Sequence, residues 1–243
     1  MRFKTAVLDR IFYFRKFIGT DAGLYMLEGI SCTLAFNIVS NNNLLFMLRL
    51  GASDYNLGMI HLVPQALNML ILLPGGIIAD SLSNKKNMVV ISVGLMAFFY
   101  IVTMFSPYLG AMGIVWFLAG LSLSSGMFTL YNISWQSFFP EVIPPRERNR
   151  TLTVRATWRL IPAILIPLIT GFILASINEN GAKISAHQSF YMVSAFFAAV
   201  QIFILRKIKP KAPSPAAGIN LDNLKKAASM LAKNKRFLFF APS

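Results

Sequence analysis

The sequence is poor in charge. Only 13% of its 243 residues are Asp, Glu, Lys or Arg, about half the share found in an ordinary soluble domain, and its mean hydropathy is +0.59. That combination excludes a water-soluble globule and points to a polytopic membrane protein. Cysteine is nearly absent: the single Cys32 leaves no disulfide framework and no thiolate metal site. Histidine occurs twice, as His61 and His187, on different apolar stretches and without a carboxylate cluster, so zinc or haem has no ligand set and no cofactor is expected. An intramembrane serine protease would need a histidine partner for a glycine-flanked serine; Ser125-Gly126 is present, but His187 falls at the outer edge of its span. No cleavable signal is present either, because the Ala6-Val7-Leu8 run stops at Asp9 and Arg10, short of a signal core.

The charge gaps count the spans. No charged residue lies between Glu28 and Arg49, Asp54 and Asp80, Lys86 and Glu141, Arg159 and Glu179, or Lys183 and Arg206, and a transmembrane helix needs about 20 mostly apolar residues. The third gap is too long for one helix and divides at Pro107-Tyr108-Leu109-Gly110, giving six spans. They are expected at about 23–48, 56–79, 88–105, 109–139, 153–177 and 189–205. The fold class is therefore all-α, a six-helix transmembrane bundle over 23–206. It follows a 1–22 N-terminal segment, in which Ile11 to Ile18 suit a short basic surface helix or a mobile tail.

Acidic residues number 9 against 23 basic ones. In a soluble chain this balance suggests nucleic acid; here its distribution gives topology. Alternating the six helices puts 21 of the basic residues on one side and only Arg49 and Lys183 on the other, so both termini are expected in the cytoplasm of a multi-pass cell-membrane protein, with no nucleic-acid partner. Residues 207–236 read as a cytoplasmic linker with an amphipathic helix, where Leu221, Leu224, Ala228 and Leu231 recur among lysines. Phe237 to Ser243 open a seventh span that the chain does not complete, which reads as a truncated longer protein.

Polar side chains are unevenly shared. Spans 1, 2 and 4 carry Asn37, Asn41, Gln65, Asn68 and Asn132 beside several hydroxyls, whereas spans 3 and 6 are almost purely apolar. Hydrocarbon cannot satisfy amides, so spans 1, 2, 4 and 5 are expected to line an interior, with 3 and 6 outside. Asn37, Asn41, Gln65, Asn68 and Asn132 are the candidate solute-binding residues, with interhelical hydrogen bonding as the other reading. Glu28 near the start of span 1 either couples to a proton or cation, or pairs with Arg155 or Arg159. The two arginines share one helical face and point at a cavity or at lipid phosphates, with phosphate the favoured partner of Arg155.

The loop after span 2, Gly75-Gly76-Ile77-Ile78-Ala79-Asp80-Ser81-Leu82-Ser83-Asn84-Lys85-Lys86, resembles the signature of the major facilitator superfamily at the same place, G-x-L-A-D-[RK]-x-G-R-[RK]. Gly76, Ala79, Asp80 and Lys85 match it, while Ser81, Ser83 and Asn84 depart. The segment from Pro140 to Arg150, with Arg146 and Arg150, resembles the family's Pro-then-Arg link between helices 4 and 5. The resemblance implies a transporter of two six-helix halves that moves a small solute across the bilayer by alternating access, of which this chain would be the N-terminal half. Its partner would be a missing C-terminal half or a second copy, and it would not transport alone. Asp80 would latch the cytoplasmic side between halves. No enzymatic role is implied. The different-class alternative is a six-helix membrane interaction or assembly module without transport. Solute, coupling ion, and uptake or export stay open.

Overall fold

A computed structural model describes residues 19–82 and 84–210. Seven α-helices follow in order: α1 (Asp21–Ser40), α2 (Asn43–Arg49), α3 (Asp54–Ser81), α4 (Lys85–Met104), α5 (Gly113–Val142), α6 (Pro145–Ser176) and α7 (Asn180–Lys207), with a 3₁₀ turn at Ser106–Met112. No strand occurs among the described residues. Five helical segments are long and apolar enough to cross a membrane, and the bent α3 makes a sixth. The N-terminal basic segment, Ser83, the Leu221 to Leu231 helix and the Phe237 stretch lie outside the described residues.

Local chemistry sets the ends. Thr20 caps α1 by accepting from the Gly23 N–H at 3.1 Å, and Asn84 caps α4 by accepting from the Asn87 N–H at 3.2 Å, each satisfying a donor that the first turn leaves free. The first span breaks after Ser40, within the stretch expected to be continuous. Asn42 donates from Nδ2 to the Ile38 carbonyl at 2.7 Å, the competition for backbone groups that makes Asn a poor helix continuer. In α3 the chain bends by 41° at Pro74, where the ring removes one N–H and crowds the preceding turn. Gly110 takes φ +53°, a left-handed conformation that favours glycine and lets the chain re-enter as α5.

Three starts differ from the sequence expectation. α5 begins at Gly113 rather than Leu109, α6 at Pro145 rather than Thr153, and α7 at Asn180 rather than Ser189. Proline is favourable at a helix start, and Glu147 in the first turn of α6 suits the helix dipole, so α6 runs out past the apolar core. The early start of α7 places His187 two turns inside it, buried and stacked on Phe46 with ring centroids 5.0 Å apart, not at the outer edge.

Packing is unequal. α4 packs on α5 and on α7, α7 packs in turn on α1, α3 lies along α5, and α6 lies along α1, while α1 and α5 meet through the rings of Tyr25 with Trp135 and Phe139 and of Phe36 with Phe128. The expectation that spans 3 and 6 stand outside therefore holds for only one face of each. Ile91 and Phe98 of α4 and Phe196 and Phe203 of α7 are exposed, yet Met96 and Gln201 on the same helices are fully buried. The flanking helix α6 is the least covered, with Leu160, Ile164, Leu168 and Phe172 all exposed.

Candidate functional site

Two polar constellations lie within this apolar bundle. The first is buried nearer the end that carries Lys85, Arg146 and Lys207, here called the basic end. Glu28 of α1 is fully buried. Its Oε2 accepts from Arg155 Nε at 3.1 Å and Nη2 at 2.8 Å, while Oε1 accepts from Gln201 Nε2 at 2.8 Å and from the Tyr131 hydroxyl. Arg155 Nη2 also donates to the Tyr131 oxygen at 3.0 Å, and its Cζ stands 4.1 Å from the Trp135 ring centre, a cation–π contact. One carboxylate thus joins α1, α5, α6 and α7. Gly29 makes this possible: a Cβ there would stand 2.7 Å from Arg155 Cγ and 2.9 Å from its Nε. One turn further along, Arg159 Nε donates to Thr33 Oγ1 at 2.6 Å.

This geometry corrects the favoured partner of Arg155. A guanidinium with 8% exposure does not reach lipid phosphate, because it must find its counter-charge inside the protein, and Glu28 supplies it. Tyr131, Trp135 and Gln201 were missed by the sequence reading. Gln201 carried a usable signal, since it is the one amide in the 189–205 stretch of α7 and such a group must face a partner.

The second constellation is an open cleft of about 170 Å³ between α1, α3 and α5, toward the end opposite the basic one. Phe36, Ser40, Asn43, His61, Gln65, Tyr100, Ser124 and Ser125 contribute to its walls. Of the candidate solute-binding amides, Gln65 alone lines it. Asn68, one turn deeper on α3, is tied to Ser125: its Nδ2 donates to Oγ at 3.0 Å, and the Ser125 hydroxyl can donate back to Oδ1 at 3.2 Å. Asn132 donates to the Phe128 carbonyl of its own helix at 3.0 Å. Asn37 is half-buried on α1 and Asn41 is exposed at the α1–α2 turn, neither of them in the cleft wall.

At the basic end the loop motif ties the unit to itself. Asp80 Oδ1 accepts from Ser137 Oγ of α5 at 2.9 Å, and Lys85 pairs with Glu141 at 3.1 Å. Gly76 is half-buried with open space beside it, while the neighbouring Gly75 sits tight against Leu130 and Ile133 of α5. Arg146 and Arg150 are exposed. Arg148 is the structural arginine of that loop, donating to the carbonyls of Ile143 and Pro140, each at 3.1 Å, and so closing the end of α5. No group of metal-ligating residues comes together among the described residues.

The sequence matches the Major Facilitator Superfamily over residues 24–242, which takes in all six spans and both motif loops. The chain belongs to the major facilitator superfamily. Superfamily members are membrane transporters that move small solutes across lipid bilayers; the Gly75 to Lys86 segment runs from the last two turns of α3 into the first residues of α4. No curated protein matches the chain.

Proposed function

We propose that this chain works as the first six-helix unit of a secondary transporter, moving a small solute by alternating access in the cell membrane with its basic end in the cytoplasm. A second six-helix unit, supplied by a C-terminal half or another copy, completes the pathway. The observation that carries this reading is the asymmetry between the two ends. The basic end is fastened by Glu28–Arg155, Asp80–Ser137 and Lys85–Glu141, while the opposite end holds the open polar cleft. Rocking one unit against another as a rigid body needs a half that holds itself together at one end and offers polar groups at the other.

In this reading Gln65 contacts solute directly, Asn68 and Asn132 hold helices beside the path, and Asn37 and Asn41 stand along its edge. Glu28, Arg155 and Arg159 form the junction about which coupling is arranged, and Asp80, Lys85, Arg146 and Arg150 act at the cytoplasmic gate with Gly76. The second reading is an assembly module without transport, in which the exposed apolar face of α6 packs on a partner instead of on lipid or a second transport unit. Single cysteines at Gln65 and Ser137, in a Cys32→Ser background of the two-unit protein, separate the two. Transport predicts opposite-sided labelling that redistributes when Asp80→Asn is added. Labelling that never changes, together with a stoichiometric partner and no flux, would favour the module. Reporters give the orientation: one after Lys211 is expected in the cytoplasm and one at Asn180 outside.

A further inference from the structure

We infer that the cleft between α1, α3 and α5 takes an uncharged, single-ring solute bearing neighbouring hydroxyl or amide groups, the chemistry shared by a neutral sugar and an uncharged nucleoside. The inference deepens the transport reading by naming the class of solute, and it rests on that reading for the cleft's purpose but not for its occupancy.

Charge decides the first part. No Asp, Glu, Lys or Arg of this unit contributes to the cleft wall, so an anion or cation entering it would lose water without gaining a counter-charge from this unit, a large cost in a membrane interior. The hydrogen-bonding inventory decides the second. His61 and Gln65 lie four residues apart on one face of α3, and neither has a hydrogen-bond partner among the described residues, so the Gln65 amide offers a donor and an acceptor side by side. Asn43 Oδ1 is taken by the Tyr191 hydroxyl at 2.6 Å, leaving its amide N–H groups. The Ser124 hydroxyl donates to the Leu121 carbonyl at 2.9 Å, leaving its lone pairs. The wall thus offers both donors and acceptors in one small space, which suits a ring with both and leaves a purely apolar guest facing unsatisfied amides.

Shape decides the third. The cleft's 170 Å³ is well below the roughly 300 to 1,000 Å³ of drug-sized sites, so it holds one ring. Phe36 supplies an apolar wall whose orientation is fixed by stacking on Phe128, with ring centroids 4.1 Å apart. The Asn68–Ser125 pair closes the deep end.

The test uses the full chain in lipid nanodiscs, with glucose, uridine and the monophosphate of each as probes in equilibrium dialysis, and thermal unfolding read in parallel. At least one neutral probe is expected to bind, its phosphate at least about tenfold more weakly. Gln65→Leu and His61→Leu should each weaken it by about tenfold, the scale of one lost buried hydrogen bond, with the ligand-free unfolding midpoint unchanged. Retention of neither neutral probe, equal or tighter binding of the phosphates, or full binding by Gln65→Leu would each overturn the inference. Failure of sided labelling to redistribute, with probe binding intact, would remove transport and leave the cleft.

Discussion

The two polar constellations of this bundle differ in charge and in finish: one is built on the Glu28–Arg155 ion pair, the other on uncharged amides, hydroxyls and an imidazole. At the Glu28 junction both carboxylate oxygens accept two hydrogen bonds each, from four different donor groups on three helices. In the cleft, Gln65 and His61 are exposed and hold no hydrogen-bond partner among the described residues. A polar residue inside a membrane is thus not one kind of signal. Where a buried charge has both oxygens filled, as in Glu28, the group fastens helices. Where an exposed amide faces a cleft, it is available to a guest, whereas open capacity that is buried, as at Gln201 Oε1 and Trp135 Nε1 of the junction, is not.

The sharpest way to break this contrast is to remove the junction's cation. Arg155→Leu leaves Glu28 buried without its counter-charge and is expected to lower stability by about 3 to 5 kcal/mol, measured by denaturant unfolding in micelles, with Glu28→Gln restoring part of the loss in the double variant. A loss below about 1 kcal/mol would mean the junction is wet and no different in kind from the cleft. Crowding the same site is the next largest effect. Gly29→Ala places a methyl against the stem of Arg155, not its mobile tip, and should cost about 1 to 3 kcal/mol. At the basic end Lys85→Met removes the 3.1 Å ion pair to the nearly buried Glu141, with an expected loss of about 1 to 2 kcal/mol. Asn68 and Ser125 lie between the two regimes, and a double-mutant cycle through alanine should return a coupling near 0.6 kcal/mol. The smallest change belongs to the cleft itself: Gln65→Leu should move stability by no more than about 0.5 kcal/mol while removing solute binding. A large stability loss there would show that Gln65 is structural after all.

Much of the architecture was legible because the bilayer imposes it. Charge gaps such as Lys86 to Glu141, and the turn at Gly110, fixed how many helices there are and where they reverse. Helix starts were less legible, since α6 continues from Thr153 back to Pro145 through charged residues that no apolar criterion includes. The junction was half legible. Two arginines four apart and one carboxylate at similar depth suggested a pair, but which arginine pairs depends on the missing side chain of Gly29 and on Trp135, both of which look unremarkable in sequence. The cleft was least legible, because Asn37, Gln65, Asn68 and Asn132 have similar chemistry and only packing decides which amides are already engaged.

The Glu28 junction also has a consequence in time. Its partners lie 103, 127 and 173 residues further along the chain, so at synthesis rates of about 5 to 20 residues per second, Gln201 follows Glu28 by roughly 9 to 35 seconds. During that interval α1 has a carboxyl group and none of the donors that later surround it. Its insertion has to keep that group hydrated until α5, α6 and α7 arrive in turn, and the first helix is fully partnered only when the last one has been made.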